Sequence, residues 1–67
     1  MQVRNLKHWR ERRLMTQADL AAKSGLSEMT INRIETGRAE PRLHTIRKLA
    51  EALDVDAAEL IGKDSQV

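Results

Sequence analysis

Residues 16–38 read TQADLAAKSGLSEMTINRIETGR, and this stretch decides the fold. Thr16, with Asp19 three places on, predicts a helix start. The hydroxyl can take a main-chain N–H and the carboxylate can reach back, although Asp is shorter than the usual Glu or Gln. Leu20 and Ala21 point inward. Gly25 closes this helix, where a positive φ is needed. Ser27 caps the next helix, which runs to about Thr36 before Gly37 stops it. Two short helical patterns therefore meet at a glycine.

The second pattern is unusual on its outer side. Ser27, Ile31 and Ile34 share one stripe at helical spacing, and Ile31 and Ile34 are its core anchors. Met29, Asn32, Arg33 and Thr36 take the opposite face, with Glu28 at its edge. Long charged residues are normal there. A methionine, an amide and a guanidinium instead suit base edges: Arg forks onto guanine, Asn onto adenine, and an apolar chain touches a thymine methyl. Taken alone, the helix fits an ordinary amphipathic surface helix equally well.

Three further helices are expected around this pair. One runs from about Val3 to Arg13, with Leu6 and Trp9 on one stripe and Arg10 beside them. A loop after Gly37 passes through Pro41, which cannot continue a helix. The fourth helix spans 43–53, with Leu43, Ile46, Leu49, Ala50 and Leu53 at helical spacing. The fifth starts near Asp56 and ends before Gly62, with Leu60 and Ile61 apolar. Alternating and β-branched runs are absent, which argues against sheet. The expectation is a single all-α, five-helix domain over 1–62, with a flexible tail at 63–67.

Composition narrows the function. The chain has 67 residues and no cysteine, so neither a disulfide framework nor a thiolate metal site is available. Trp9 is the only aromatic, leaving Leu, Ile, Val, Met and Ala to build the core. No apolar run is long enough to span a membrane, and the start lacks a signal-peptide h-region. A cytoplasmic protein is expected. Charge is uneven. Residues 1–48 hold eleven Lys/Arg against five Asp/Glu, a balance of +6; residues 49–67 hold one against five, a balance of −4. Such a split can present a basic side to a polyanion, or can be uneven solvation of an ordinary surface.

The spacing of Gln17, Leu20, Ala21, Gly25, Ile31 and Ile34 resembles the phage-repressor and Cro-like helix-turn-helix family, also called the xenobiotic-response-element (XRE) family. Leu6, Trp9 and Arg10 resemble its first-helix signature. Thr30, Glu35, Gly37, Pro41, Thr45, Ile46, Leu49, Ala50, Ala52, Leu53, Val55 and Leu60 continue the match, which covers about residues 3 to 61. The resemblance implies a compact, lambda-repressor-like five-helix domain. It implies a small transcriptional regulator, a repressor, that binds double-stranded DNA as a homodimer on a palindromic operator. The third helix, about 27–36, would enter the major groove. Glu28, Met29, Asn32 and Arg33 would face bases. Gln17, Ser27, Thr30, Arg38 and Arg42 would meet phosphates. Arg10 and Glu35 match a structural ion pair whose role is orientation more than net stability. Val55, Ala58, Leu60 and Ile61 could form the seam between copies.

Several residues depart from the family pattern. Leu14 stands where glycine is frequent, so this turn is strained or the first helix runs longer. Trp9 replaces a leucine and is read as core or half-buried rather than as a base stacker. Arg42 takes the place of a capping serine, losing a cap typically worth about 1 kcal/mol while adding a possible phosphate contact. Asp54 replaces glycine, and Asp can also adopt the left-handed conformation. Glu28 is the odd residue at the interface. It could strengthen the helix start, by dipole or salt bridge, or accept a hydrogen bond from cytosine.

No enzyme motif is present, and no cofactor or metal site is expected. His8 and His44 are isolated on different helices. The alternative function is a protein-interaction module of antitoxin or bridging type, in which the acidic C-terminal part meets a toxin or another regulator.

Overall fold

Five helices and no strand occur among the residues that the computed structural model describes, 3–62. They are α1 (Leu6–Arg12), α2 (Gln17–Ser24), α3 (Glu28–Glu35), α4 (Leu43–Leu53) and α5 (Ala57–Ile61). The tail expected at 63–67 lies outside the described residues. None of the described helices is long and apolar enough to cross a membrane.

Local chemistry sets most boundaries. Thr16 and Asp19 make a reciprocal capping box at α2: Asp19 N–H donates to Thr16 Oγ1 at 3.0 Å, and Thr16 N–H donates to Asp19 Oδ2 at 2.9 Å. The Thr16 main-chain N–H, and after it the Thr16 side chain, favour the charged carboxylate and hold the Asp19 pKa below its ordinary value. Gly25 ends α2 at φ 77°, a left-handed geometry that only glycine reaches without penalty. Ser27 Oγ accepts the Thr30 N–H at 3.0 Å and starts α3. Arg42 precedes α4 with no side-chain cap, and Asp54 ends α4 in the left-handed region, φ 59°.

One expectation about α1 needs correction, and one alternative is decided in favour of the strained turn. The helix starts at Leu6, not near Val3, because the preceding segment is held elsewhere. Asn5 N–H donates to the Leu60 carbonyl at 3.0 Å and Asn5 Nδ2 to the Glu59 carbonyl at 2.9 Å, while Val3 is buried in the core. At its other end α1 stops at Arg12 instead of running longer. Leu14 takes φ 58° in the turn and leaves 91% of its surface exposed. A left-handed conformation costs a residue with a Cβ roughly 1–2 kcal/mol, so the turn is strained.

The core is aliphatic. Leu6, Leu20, Ile31, Ile46, Leu49, Leu53 and Leu60 are fully buried, three of them from α4. Helix α4 is therefore the central element, with α2 and α5 packed on it, while α2 also packs on α3. Burying each such side chain contributes about 1.5–3 kcal/mol. Leu43 does not join them: it is half exposed at the first position of α4. Leu60 is also displaced from its expected role. It fills the core and has no surface to offer a second copy.

Trp9 is half-buried, with the guanidiniums of Arg12 and Arg13 over its ring at 5.6 and 5.3 Å. Arg13 also clasps the end of α4: Nε donates to the Leu53 carbonyl at 2.8 Å and Nη2 to the Asp54 carbonyl at 3.2 Å. These carbonyls would otherwise be orphaned at a helix C-terminus.

Candidate nucleic-acid interface

Helix α3 turns Ile31 and Ile34 into the core and leaves Glu28, Met29, Asn32 and Arg33 exposed. Met29 keeps 60% of its surface. Among the described residues, the side chains of Glu28, Asn32 and Arg33 make no hydrogen bond or ion pair within the chain. Their donors and acceptors are free for a ligand.

The hydroxyls around this face behave differently. Ser27 Oγ and Thr30 Oγ1 lie 2.8 Å apart as a mutual hydrogen bond, in addition to the cap. Thr36 Oγ1 donates back to the Asn32 carbonyl at 2.9 Å. Each hydroxyl is already engaged at the helix ends. Arg38 follows the far end of α3, Arg42 precedes α4, and both are exposed. The main-chain N–H groups of Arg38 and Ala39 both donate to the Arg33 carbonyl, at 2.8 and 3.1 Å, so this turn is fixed by the helix it follows.

A buried network joins α1 to the end of α3. Arg10 Nε donates to Glu35 Oε2 at 2.6 Å, and Arg10 Nη2 donates to Glu35 Oε1 at 3.1 Å. Arg10 Nη1 donates to the Met15 carbonyl at 2.8 Å. Only 10% of the Arg10 side chain and 4% of the Glu35 side chain are exposed. The hydrogen bond to Glu35 raises the Arg10 pKa; burial opposes it, and the Glu35 charge adds to it. The Arg10 guanidinium therefore stays charged at every ordinary pH.

Gln17 also belongs to this network, which the sequence did not indicate. It is half-buried at the start of α2, and its Nε2 donates to Glu35 Oε1 at 3.0 Å. An amide nitrogen carries two hydrogens, so one remains for an external acceptor, aimed by Glu35. The pair lies 18 positions apart, and no local pattern marks it.

Around the α4–α5 junction, Val55 and Ile61 are half-buried and Ala58 is exposed. His8 and His44 are exposed on α1 and α4. Among the described residues no group of three or more His, Cys, Asp or Glu could hold a metal ion.

A helix-turn-helix family model, HTH_3, matches residues 6–60. The chain belongs to the HTH_3 helix-turn-helix family. This is the XRE-type family of DNA-binding transcription regulators, repressors among them, and it is not an enzyme class. The HTH-type transcriptional regulator y4dJ of Sinorhizobium fredii is 35% identical over 57 residues, covering 85% of this chain and 74% of that protein. The HTH-type transcriptional repressor RghR of Bacillus subtilis is 46% identical over 59 residues, covering 87% of this chain and 44% of that protein. This HTH_3 chain thus spans less than half of RghR. Among solved structures, the restriction-modification controller protein C.AhdI from Aeromonas hydrophila superposes with a TM-score of 0.80 at 36% identity, covering 82% of this chain and 83% of that one. The HTH_3 domain accounts for the five-helix, lambda-repressor-like architecture described above.

Proposed function

We propose that this HTH_3 protein is a sequence-specific repressor that binds double-stranded DNA as a homodimer on a palindromic operator. One observation carries the reading. The solvent face of α3 holds Glu28, Met29, Asn32 and Arg33 exposed, and its polar side chains have no partner within the chain. In the major groove these residues face base edges. Gln17, Ser27, Thr30, Arg38 and Arg42 meet phosphates, Gln17 through its second amide hydrogen and the Ser27–Thr30 pair through the one hydroxyl hydrogen that their mutual bond leaves free. The two copies join through Val55, Ala58 and Ile61, without the buried Leu60. Residues 1–62 are the DNA-binding unit, and it works in the cytoplasm, where its operator is.

Selection from random duplexes with the purified chain tests this. A palindromic consensus with half-sites about one helical turn apart is the expected result. Affinity should fall with salt, with log K declining about 0.9 per phosphate neutralised for each tenfold rise in salt. No enrichment, with a flat salt response, would point instead to a protein partner such as a toxin or another regulator.

A further inference from the structure

Glu28 is the one exposed acidic side chain on α3, and nothing in the chain uses it. Its carboxylate has no ion pair and no hydrogen bond among the described residues. Its helical neighbours one turn on are Ile31 and Asn32, neither of them cationic. A salt-bridged surface role therefore has no partner. Capping is also supplied elsewhere, by Ser27. Only the attraction of a first-turn anion to the helix dipole remains, and that is weak at an exposed position. Against it stands a penalty: a carboxylate on a face turned to phosphates opposes every non-specific contact.

The chemistry of base edges shows what such a group can select. An ionised carboxylate only accepts hydrogen bonds. In the major groove guanine presents two acceptors, thymine an acceptor and a methyl, and adenine an acceptor beside its donor. Cytosine alone presents a donor amine and no acceptor. We infer that Glu28 is a specificity-determining residue that selects cytosine by accepting its N4 amine, and that it acts as much by rejecting the other three bases as by holding this one. Met29, next to it and largely exposed, adds an apolar contact suited to a thymine methyl. The first two positions of α3 are thereby both biased toward pyrimidines. This inference rests on α3 entering the major groove.

The test runs selection from random duplexes in parallel with the wild-type chain and Glu28→Gln, with thermal melting of both proteins. The wild type should enrich cytosine at one position of each half-site. Glu28→Gln should lose that cytosine, accept adenine there, and bind unrelated DNA more tightly. Preference for the cytosine site over its variants should fall by about 5- to 150-fold, while the melting temperature barely moves. Enrichment of one operator that Glu28→Gln leaves unchanged at every position overturns the role of Glu28 alone. A lowered melting temperature with unchanged base preference does the same, in favour of the helix dipole. No enrichment by the wild type overturns major-groove reading by α3, and this inference with it.

Discussion

Arg10 holds both oxygens of Glu35, through Nε at 2.6 Å and Nη2 at 3.1 Å, and so joins α1 to the last residue of α3. Removing one partner strands the other charge in a site that is almost closed to water. Arg10→Met should cost about 3–5 kcal/mol. Marginal stability of that same order is expected of a domain this small, so the single variant should be largely unfolded by circular dichroism. Arg10→Met with Glu35→Leu removes both charges and should recover most of the loss in a urea titration. A double variant as unstable as the single one would show that the pair supplies net stability rather than orientation.

Leu14→Gly should stabilise the protein. The leucine is strained at φ 58° and almost wholly exposed, so its side chain contributes no burial. Glycine removes the strain and adds some freedom to the unfolded chain, for a net gain of roughly 0.5–1 kcal/mol. In a domain of this size that corresponds to a rise of several degrees in Tm, readable by calorimetry. Leu14→Ala keeps the Cβ and should give little of this gain.

The capping box predicts an acid limb. The Asp19 pKa is lowered by hydrogen bonds from the Thr16 main chain and side chain. Its contribution is therefore present above the ordinary carboxylate pKa and is lost as pH falls through the lower, folded value. Asp19→Asn should flatten that part of the Tm-against-pH curve and lower Tm at neutral pH, where the contribution is fully present, with the difference from wild type shrinking in acid. The hydrogen bond to Glu35 raises the Arg10 pKa above an ordinary value that already lies far above neutral, so its contribution is lost only in strong alkali. No matching alkaline limb should appear from that pair in the ordinary range.

Arg33 and Arg38 should separate reading from gripping. Arg33→Ala should weaken binding by about 1–3 kcal/mol and relax preference at one base pair. Arg38→Ala should weaken binding to all duplexes alike and reduce the salt slope by about one unit. Affinities measured across operator variants and salt concentrations distinguish the two. The same loss pattern for both variants would place Arg33 on the backbone.

Much of the fold was legible because its punctuation is local. Thr16, Gly25 and Ser27 announce their roles within four residues, and the bounds of α4 follow from its apolar spacing. Periodicity alone overreached at Leu43, because a stripe says which side a residue faces and not whether a neighbouring helix extends far enough to cover it. Leu60 was misassigned for a related reason: a short apolar helix looks the same whether it fills a core or meets another molecule. The start of α1 was misplaced because its cause, the grip of α5 on Asn5, lies 54 positions away. Arg13 on the Leu53 carbonyl, 40 positions apart, left no trace in the sequence either. Within the candidate interface, outward positions on α3 follow from the helical period. The link between Arg10 and Glu35 was readable only through family resemblance, and that between Gln17 and Glu35 was not read at all.

The hydrogen bond from Asn5 to Leu60 brings the two ends of the domain to one spot on its surface. A chain that enters and leaves at the same point can be set into a longer polypeptide without threading or stretching it. The domain is in this sense a plug with a single socket. RghR, of which this chain spans 44%, carries the similar sequence within a longer chain. Additions at either end would share that exit, so a tether on one side would crowd a tether on the other before it disturbed the helices themselves.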